Sequence, residues 1–324
     1  MDKNVIDIPY FFRLLLVGGI IAPFRSFNSS KSYQEIWDKR SGSPLLSISE
    51  DLRSKVEKSS GYRTFLAMRY GKPSIKKGVH EALKYLGNKG EIFCIPLYPH
   101  HAMSTTASVI EKVTEEMARF KKANSNYKNI TIHFQKAFYN DPLYLKALKE
   151  TLKPTVKKMT AAAKKGPELL IFSYHGIPIR HLKKTDPTRN HCQQVQNCCQ
   201  VKNKEAHAHC YKHQCLQTTE AMIKEFKLDR RKVMTTFQSR LGRDPWIEPY
   251  TDITVKELAK KGVKHIAICS PAFVSDNLET LFELKIENKE FFLENGGEKF
   301  EVVPCINTSP LWITALTSWI KNFK

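Results

Sequence analysis

Seven short apolar runs interleaved with helix-type patterns constrain this chain more than any other feature. The runs cover residues 64–69, 92–96, 130–134, 169–173, 233–237, 266–270 and 300–303. They are rich in Val, Ile and Phe, and they are continuous rather than alternating, as parallel strands buried on both faces are. Helical periodicity falls between them, near residues 104–122, 142–164, 215–226, 252–261 and 276–294. Asp141-Pro142 supplies a capping carboxylate followed by proline in the first turn, and Thr251 or Asp252 can cap a later helix. Strands alternating with helices predict an α/β protein built on doubly wound parallel sheets. In that architecture ligands bind outside the carboxyl ends of the strands.

A chain of 324 residues exceeds what one core usually holds, so two domains are expected, 1–139 and 140–324, with a seam near Tyr139-Asn140. A last helix from about Pro310 is expected to pack back on the first domain. The hydrophobic fraction of 41% excludes a disordered chain. The formal charge of +20 suits either an anionic partner or a solvated lysine surface. Lysines are scattered in pairs such as Lys76-Lys77 and Lys260-Lys261, which argues against a dedicated nucleic-acid arm. The apolar stretch 11–24 is broken by Arg13 and Gly18-Gly19 and is too short to span a bilayer; core packing or a shallow membrane contact both suit it. No secretory signal is visible.

Two segments at strand ends carry candidate chemistry. Ser173-Tyr174-His175-Gly176 follows one buried run, and 270–279 follows another. A lone histidine is weak evidence, but an imidazole there can move protons or bind a metal near neutral pH. Asp276, Glu279, Glu283 and Glu287 are spaced to share one helical face. A solvated acidic stripe is the bland alternative. In so basic a chain, acids ordered along a predicted crevice suit passage of a divalent cation.

Of the eight cysteines, Cys94, Cys269 and Cys305 lie in apolar contexts and read as small hydrophobes. The other five crowd into residues 192–215 with His191, His207, His209 and His213. Clustered thiols in a large chain suggest a metal site in a reducing compartment.

At this point the chain resembles the ferrochelatases, which insert ferrous iron into a porphyrin. The resemblance rests on Gly42-Ser43-Pro44-Leu45, Met68-Arg69-Tyr70-Gly71, Pro96-Leu97-Tyr98-Pro99 with Ser104-Thr105-Thr106, and Ser173-Tyr174-His175-Gly176-Ile177-Pro178. It continues through Phe237-Gln238-Ser239-Arg240-Leu241-Gly242 with Trp246 and Pro249-Tyr250-Thr251-Asp252, then Phe273-Val274-Ser275-Asp276 with Leu278-Glu279-Thr280-Leu281. These matches run in order from about residue 30 to residue 320. The resemblance implies two Rossmann-like domains of the class II chelatase kind. It implies His175 and Glu279 as catalytic residues, with Glu283 and Asp276 joining them as ligands of the substrate iron. It also implies porphyrin contacts from Tyr98, Arg69, Ser173 and Trp246. Protoporphyrin IX is the expected substrate, with coproporphyrin III second, in a cytoplasmic protein peripheral to the inner membrane.

Two departures from the family pattern stand out. The family begins with a strand and helix, roughly 30 residues, ahead of the segment resembling Val5-Ile6-Asp7-Ile8-Pro9; the first strand of the N-terminal domain is therefore expected upstream of this start. Asn277 stands where relatives often carry His or Cys.

Some bacterial members carry a [2Fe–2S] cluster, and the insertion at 188–215 looks like an internal version of that site. The ligands implied are Cys192, Cys199, Cys210 and Cys215, with Cys198 an alternative to Cys199 and structural zinc an alternative to the cluster. Two other readings are weaker. A metal-ordered nucleic-acid binder predicts aromatics interleaved with clustered Arg, which the insertion lacks. A cobalt or nickel chelatase acting on another tetrapyrrole differs mainly in cavity geometry.

Overall fold

The computed structural model describes residues 2–5, 7, 30–160, 166–242 and 244–323. The apolar stretch 11–24 and the end of the expected helix 142–164 lie outside these residues.

The N-terminal half builds around a two-stranded parallel sheet. Helix α1 (Pro44–Ser60) starts behind Ser43 with Pro44 in its first turn and ends at Gly61, whose φ of 79° suits a left-handed cap. Helix α2 (Ile75–Leu86) is capped by the Ser74 hydroxyl, which accepts the Lys77 N–H. Strand β1 (Lys89–Cys94) pairs in parallel with β2 (Asn129–Phe134), and a short π-turn leads into α3 (Ser108–Ala123) between them. Ile75, Val79 and Leu83 of α2 pack with Val113 and Met117 of α3 and Ile130 of β2. Their four-residue spacing shows why these segments are helices: one apolar stripe faces one sheet.

Residues 64–69, expected as a strand, form extended chain with a single bridge from Met68 to Ser74. Among the described residues no neighbouring strand offers them a ladder, so period and composition were insufficient to make a strand.

The C-terminal half follows as α4 (Pro142–Thr160), β3 (Leu169–His175), α5 (Ile179–Thr185), α6 (Lys204–His209), α7 (Tyr211–Phe226), β4 (Val233–Gln238), α8 (Thr251–Lys260) and β5 (His265–Cys269). A π-helix (Glu279–Asn288) runs directly into α9 (Lys289–Glu294), then β6 (Lys299–Val302) and α10 (Pro310–Lys321). The strands form one parallel sheet in the order β4-β3-β5-β6.

Strand β3 explains the two-layer cover. Leu170, Phe172 and Tyr174 enter the core shared with α4, α7 and α10. Ile171 enters the opposite core with Val255 and Ala259 of α8, Leu284 and Phe292. All four β3 residues are fully buried, at 0% exposure. Each such side chain stabilises the fold by roughly 1.5–3 kcal/mol, more than the ~0–1 kcal/mol of an exposed ion pair. The fold is therefore set by these runs rather than by the many surface lysines. Helix α10 packs against α1 as well as α4.

Candidate active site

The chain leaves β3 to form β4 on one side, then returns to form β5 on the other. That reversal opens a crevice at the carboxyl ends of β3 and β5, where parallel sheets bind ligands. His175 is the last residue of β3, and the loop after β5 leads to Glu279 at the start of the π-helix.

Several contacts fix His175. Its Nδ1 lies 2.6 Å from the Gly176 carbonyl. A carbonyl only accepts, so Nδ1 carries a proton, and in the neutral ring the lone pair is on Nε2. Its own carbonyl accepts the Tyr211 hydroxyl at 2.8 Å, and its ring meets Phe273 edge to face with centroids 6.3 Å apart. A Cβ on the neighbouring Gly176 would meet the Ser239 carbonyl at 2.8 Å, the Gln238 carbonyl at 3.1 Å and the Trp246 ring at 3.2 Å. Glycine is required by the protein's own backbone.

The acidic residues separate into two groups. Asp276 is buried and satisfied. It accepts from the Thr280 hydroxyl at 2.9 Å, the Asn307 amide at 2.7 Å and the Cys305 N–H at 3.2 Å. It holds the turn after β6 and is not free for iron, contrary to the expected four-acid ladder. Asn277 is likewise structural, its side chain accepting the Thr280 N–H at 3.1 Å. Glu279, Glu283 and Glu287 lie on the π-helix, where residues four apart come close to one line; π-turns are rare and concentrate at functional sites. Burial raises the Glu283 carboxyl above its ordinary range, and the neighbouring Glu279 carboxylate adds to this, while the Ser239 hydroxyl and His175 oppose it. Burial also raises Glu287, with Glu290 adding.

A cleft of about 1230 Å³ opens at this crevice. Pockets of roughly 300–1,000 Å³ hold drug-sized ligands, so a macrocycle is not excluded by size. His175, Tyr211, Phe273, Asn277 and Glu279 line it from the C-terminal half; Arg69, Tyr98, His100 and Thr105 line it from the N-terminal half. Burial, and then the Glu279 carboxylate, raise the Tyr98 phenol, so it stays protonated. The Arg69 guanidinium is held by Asp2 and Ser108, each at 2.6 Å. Ser173 and Trp246 do not line the cleft. Ser173 is fully buried, and its hydroxyl pairs with Gln238 at 2.7 Å and Thr251 at 2.8 Å. Trp246 covers Gly176 from behind and donates to the Leu241 carbonyl at 3.0 Å. Sequence reasoning gave no role to Tyr211, Ser239 or His100. His100 is buried with Nε2 2.9 Å from the Thr218 hydroxyl, and burial lowers its pKa to about 3, so it is neutral.

The cysteine insertion packs against the same region. Asp186 anchors its start, accepting the Thr188 hydroxyl at 2.6 Å and the N–H groups of Thr188, His191 and Cys192 at 2.9, 3.0 and 2.8 Å. Burial alone would raise this carboxyl, but those donors hold it down at about 2. Cys192 and Cys199 both direct their thiols to the Cys210 sulfur, which lowers the Cys210 pKa and raises theirs. The Cys210 sulfur also accepts the His213 N–H at 3.5 Å, capping α7. Cys215, fully buried, contacts the Tyr211 hydroxyl. No cysteine is in a disulfide. Among the described residues no group of three or more His, Cys, Asp or Glu side chains is arranged to hold a metal ion.

A parallel α/β protein with an imidazole and partly buried carboxylates at its switch point holds the kinds of donor that metal chelation uses. The ferrochelatase family profile matches residues 1–323. The chain is 39% identical to a ferrochelatase of Opitutus terrae over 99% of its own length and 89% of the relative's. It is 39% identical to one from Legionella pneumophila over 99% and 90%, and 40% identical to one from Pseudomonas fluorescens over 98% and 89%. The chain belongs to the ferrochelatase family.

Proposed function

We propose that this protein is a lyase that inserts Fe²⁺ into protoporphyrin IX to form protohaem. The observation that carries this reading is the convergence of His175 and Glu279 on one large cleft at the sheet's switch point, with the buried Glu283 next to Glu279. Metallation exchanges two pyrrole protons for one dication. The His175 Nε2 lone pair accepts a proton, while Nδ1 stays tied to Gly176. Glu279 offers hard oxygen ligands to the incoming iron. Glu283, whose carboxyl burial raises above its ordinary range, accepts the second pyrrole proton and passes it toward Glu287 as the metal's charge arrives. Tyr98 and Arg69 position the macrocycle from the opposite wall. The domain division falls between β2 and α4, near residue 139, as two separate sheets suggest.

The test is anaerobic addition of Fe²⁺ to protein and protoporphyrin, followed by loss of porphyrin fluorescence. No loss above the uncatalysed rate contradicts the proposal. Faster turnover of coproporphyrin III favours the second substrate.

The insertion is proposed to hold a [2Fe–2S] cluster through Cys192, Cys199, Cys210 and Cys215. The thiol-only donor set supports this, as does the contact of Cys192 and Cys199 with Cys210. Such a cluster supplies one-electron chemistry and a cross-link between the loop and α7. Structural zinc is the second reading. A cytoplasmic protein with a peripheral membrane contact is proposed from the apolar stretch 11–24; among the described residues no helix is long and apolar enough to cross a membrane.

A further inference from the structure

Tyr211 stands between two features that chemistry alone would keep apart. It is the first residue of α7, directly after the thiol-rich Cys210. Its hydroxyl donates to the main-chain carbonyl of His175 at 2.8 Å, although 36 residues separate them. Its ring lines the cleft and meets His100 edge to face, with centroids 6.0 Å apart.

The His175 carbonyl is at the end of β3, where the ladder to β4 gives out. A buried carbonyl left without a partner costs about 1–3 kcal/mol, enough to let the strand end shift. Among the described residues the imidazole's one hydrogen bond is to the next residue's carbonyl, so that bond moves with the strand end. Misplacement of a reacting group by about 1 Å can cost on the order of a hundredfold in rate.

We propose that Tyr211 is a positioning residue for His175, fixing the imidazole through the strand-end carbonyl rather than by touching the reacting atoms. The proposal rests on His175 being catalytic. It also makes α7 the mechanical link between the cysteine insertion and the cleft.

The test compares Tyr211→Phe with Tyr174→Phe in the full chain. Both changes are isosteric. Tyr174 also ties β3 to α7, through the Thr219 hydroxyl at 2.9 Å, but not at His175. Tyr211→Phe is expected to lower kcat roughly three- to tenfold, the span one hydrogen bond sets, with the porphyrin KM within about twofold. Tyr174→Phe is expected to keep wild-type kcat at a similar loss of Tm. Wild-type kcat in Tyr211→Phe overturns the proposal, as does a change in KM alone or an equal loss of kcat in Tyr174→Phe. His175→Ala is run alongside. If that variant stays active, the catalytic reading itself fails; if it is inactive while Tyr211→Phe is normal, only the positioning role fails.

Discussion

The Ser239 hydroxyl donates to the Glu283 carboxylate, joining the loop after β4 to the middle of the π-helix. Ser239 adopts a φ of 59° to do so. Glu283 keeps a raised pKa despite this bond because burial and Glu279 outweigh it. A carboxyl whose folded pKa is raised contributes its stability below the ordinary carboxylate pKa and loses it as pH rises through the raised value. Glu283→Gln, which can still accept from Ser239, should match wild type in Tm near pH 4 and exceed it at pH 8, while iron insertion falls at least tenfold. An unchanged Tm difference across that range would show that Glu283 is not held against its charge.

Gly176→Ala places a methyl group 2.8 Å from the Ser239 carbonyl and 3.1 Å from the Gln238 carbonyl. Neither backbone atom can retreat without opening the β3–β4 ladder. Overpacking of this kind costs about 1–3 kcal/mol, and His175 shifts with it. Calorimetry should show a lowered Tm, and turnover should fall by more than the unfolded fraction accounts for. Wild-type stability would mean that the loop adapts.

Asp186→Asn should loosen the insertion. Hydrogen bonds to a charged group contribute about 1.5–3 kcal/mol, and this carboxylate accepts four. Its folded pKa of about 2 lies below the ordinary aspartate value. The stability it gives is therefore present above about pH 4 and is lost as pH falls toward 2. Limited proteolysis between residues 187 and 203 should be faster in the variant at pH 7, with the difference shrinking near pH 3. Equal cleavage at pH 7 would remove Asp186 as the anchor.

Much of this architecture was legible because β3, β4 and β5 are continuous apolar runs, and a strand buried on both faces leaves that imprint. His175 and Glu279 were legible for a related reason: parallel sheets put their strand ends at the crevice. The segment 64–69 is also a largely apolar run, yet a strand needs a neighbour, which period cannot supply. Helices α1 and α2, absent from the expected helices, carry their signals at Pro44 in the first turn and at the Ser74 cap. Asp276 shares the spacing of Glu279 and Glu283, but it faces Cys305 and Asn307, partners about 30 residues onward. Tyr211 and Ser239 act through tertiary contacts with no local pattern at all.

Cys199→Ser and Cys210→Ser should abolish any visible absorption and acid-labile sulfide of anaerobically purified protein, while Cys198→Ser should retain both. Cys199 contacts the Cys210 sulfur, whereas the Cys198 carbonyl instead accepts from His191 and His207 at 2.8 and 3.0 Å. A colourless wild-type protein containing one zinc would replace the cluster with a structural metal.

The central claim is that the His175 imidazole takes part in porphyrin metallation at the ends of β3 and β5. The most direct measurement is Fe²⁺ insertion into protoporphyrin IX by wild type and His175→Ala at matched folded concentration. Removing an acid–base group typically costs about 10²–10⁴-fold, so the variant should lose at least a hundredfold in kcat while still quenching on porphyrin binding. Turnover within a fewfold of wild type would contradict the claim.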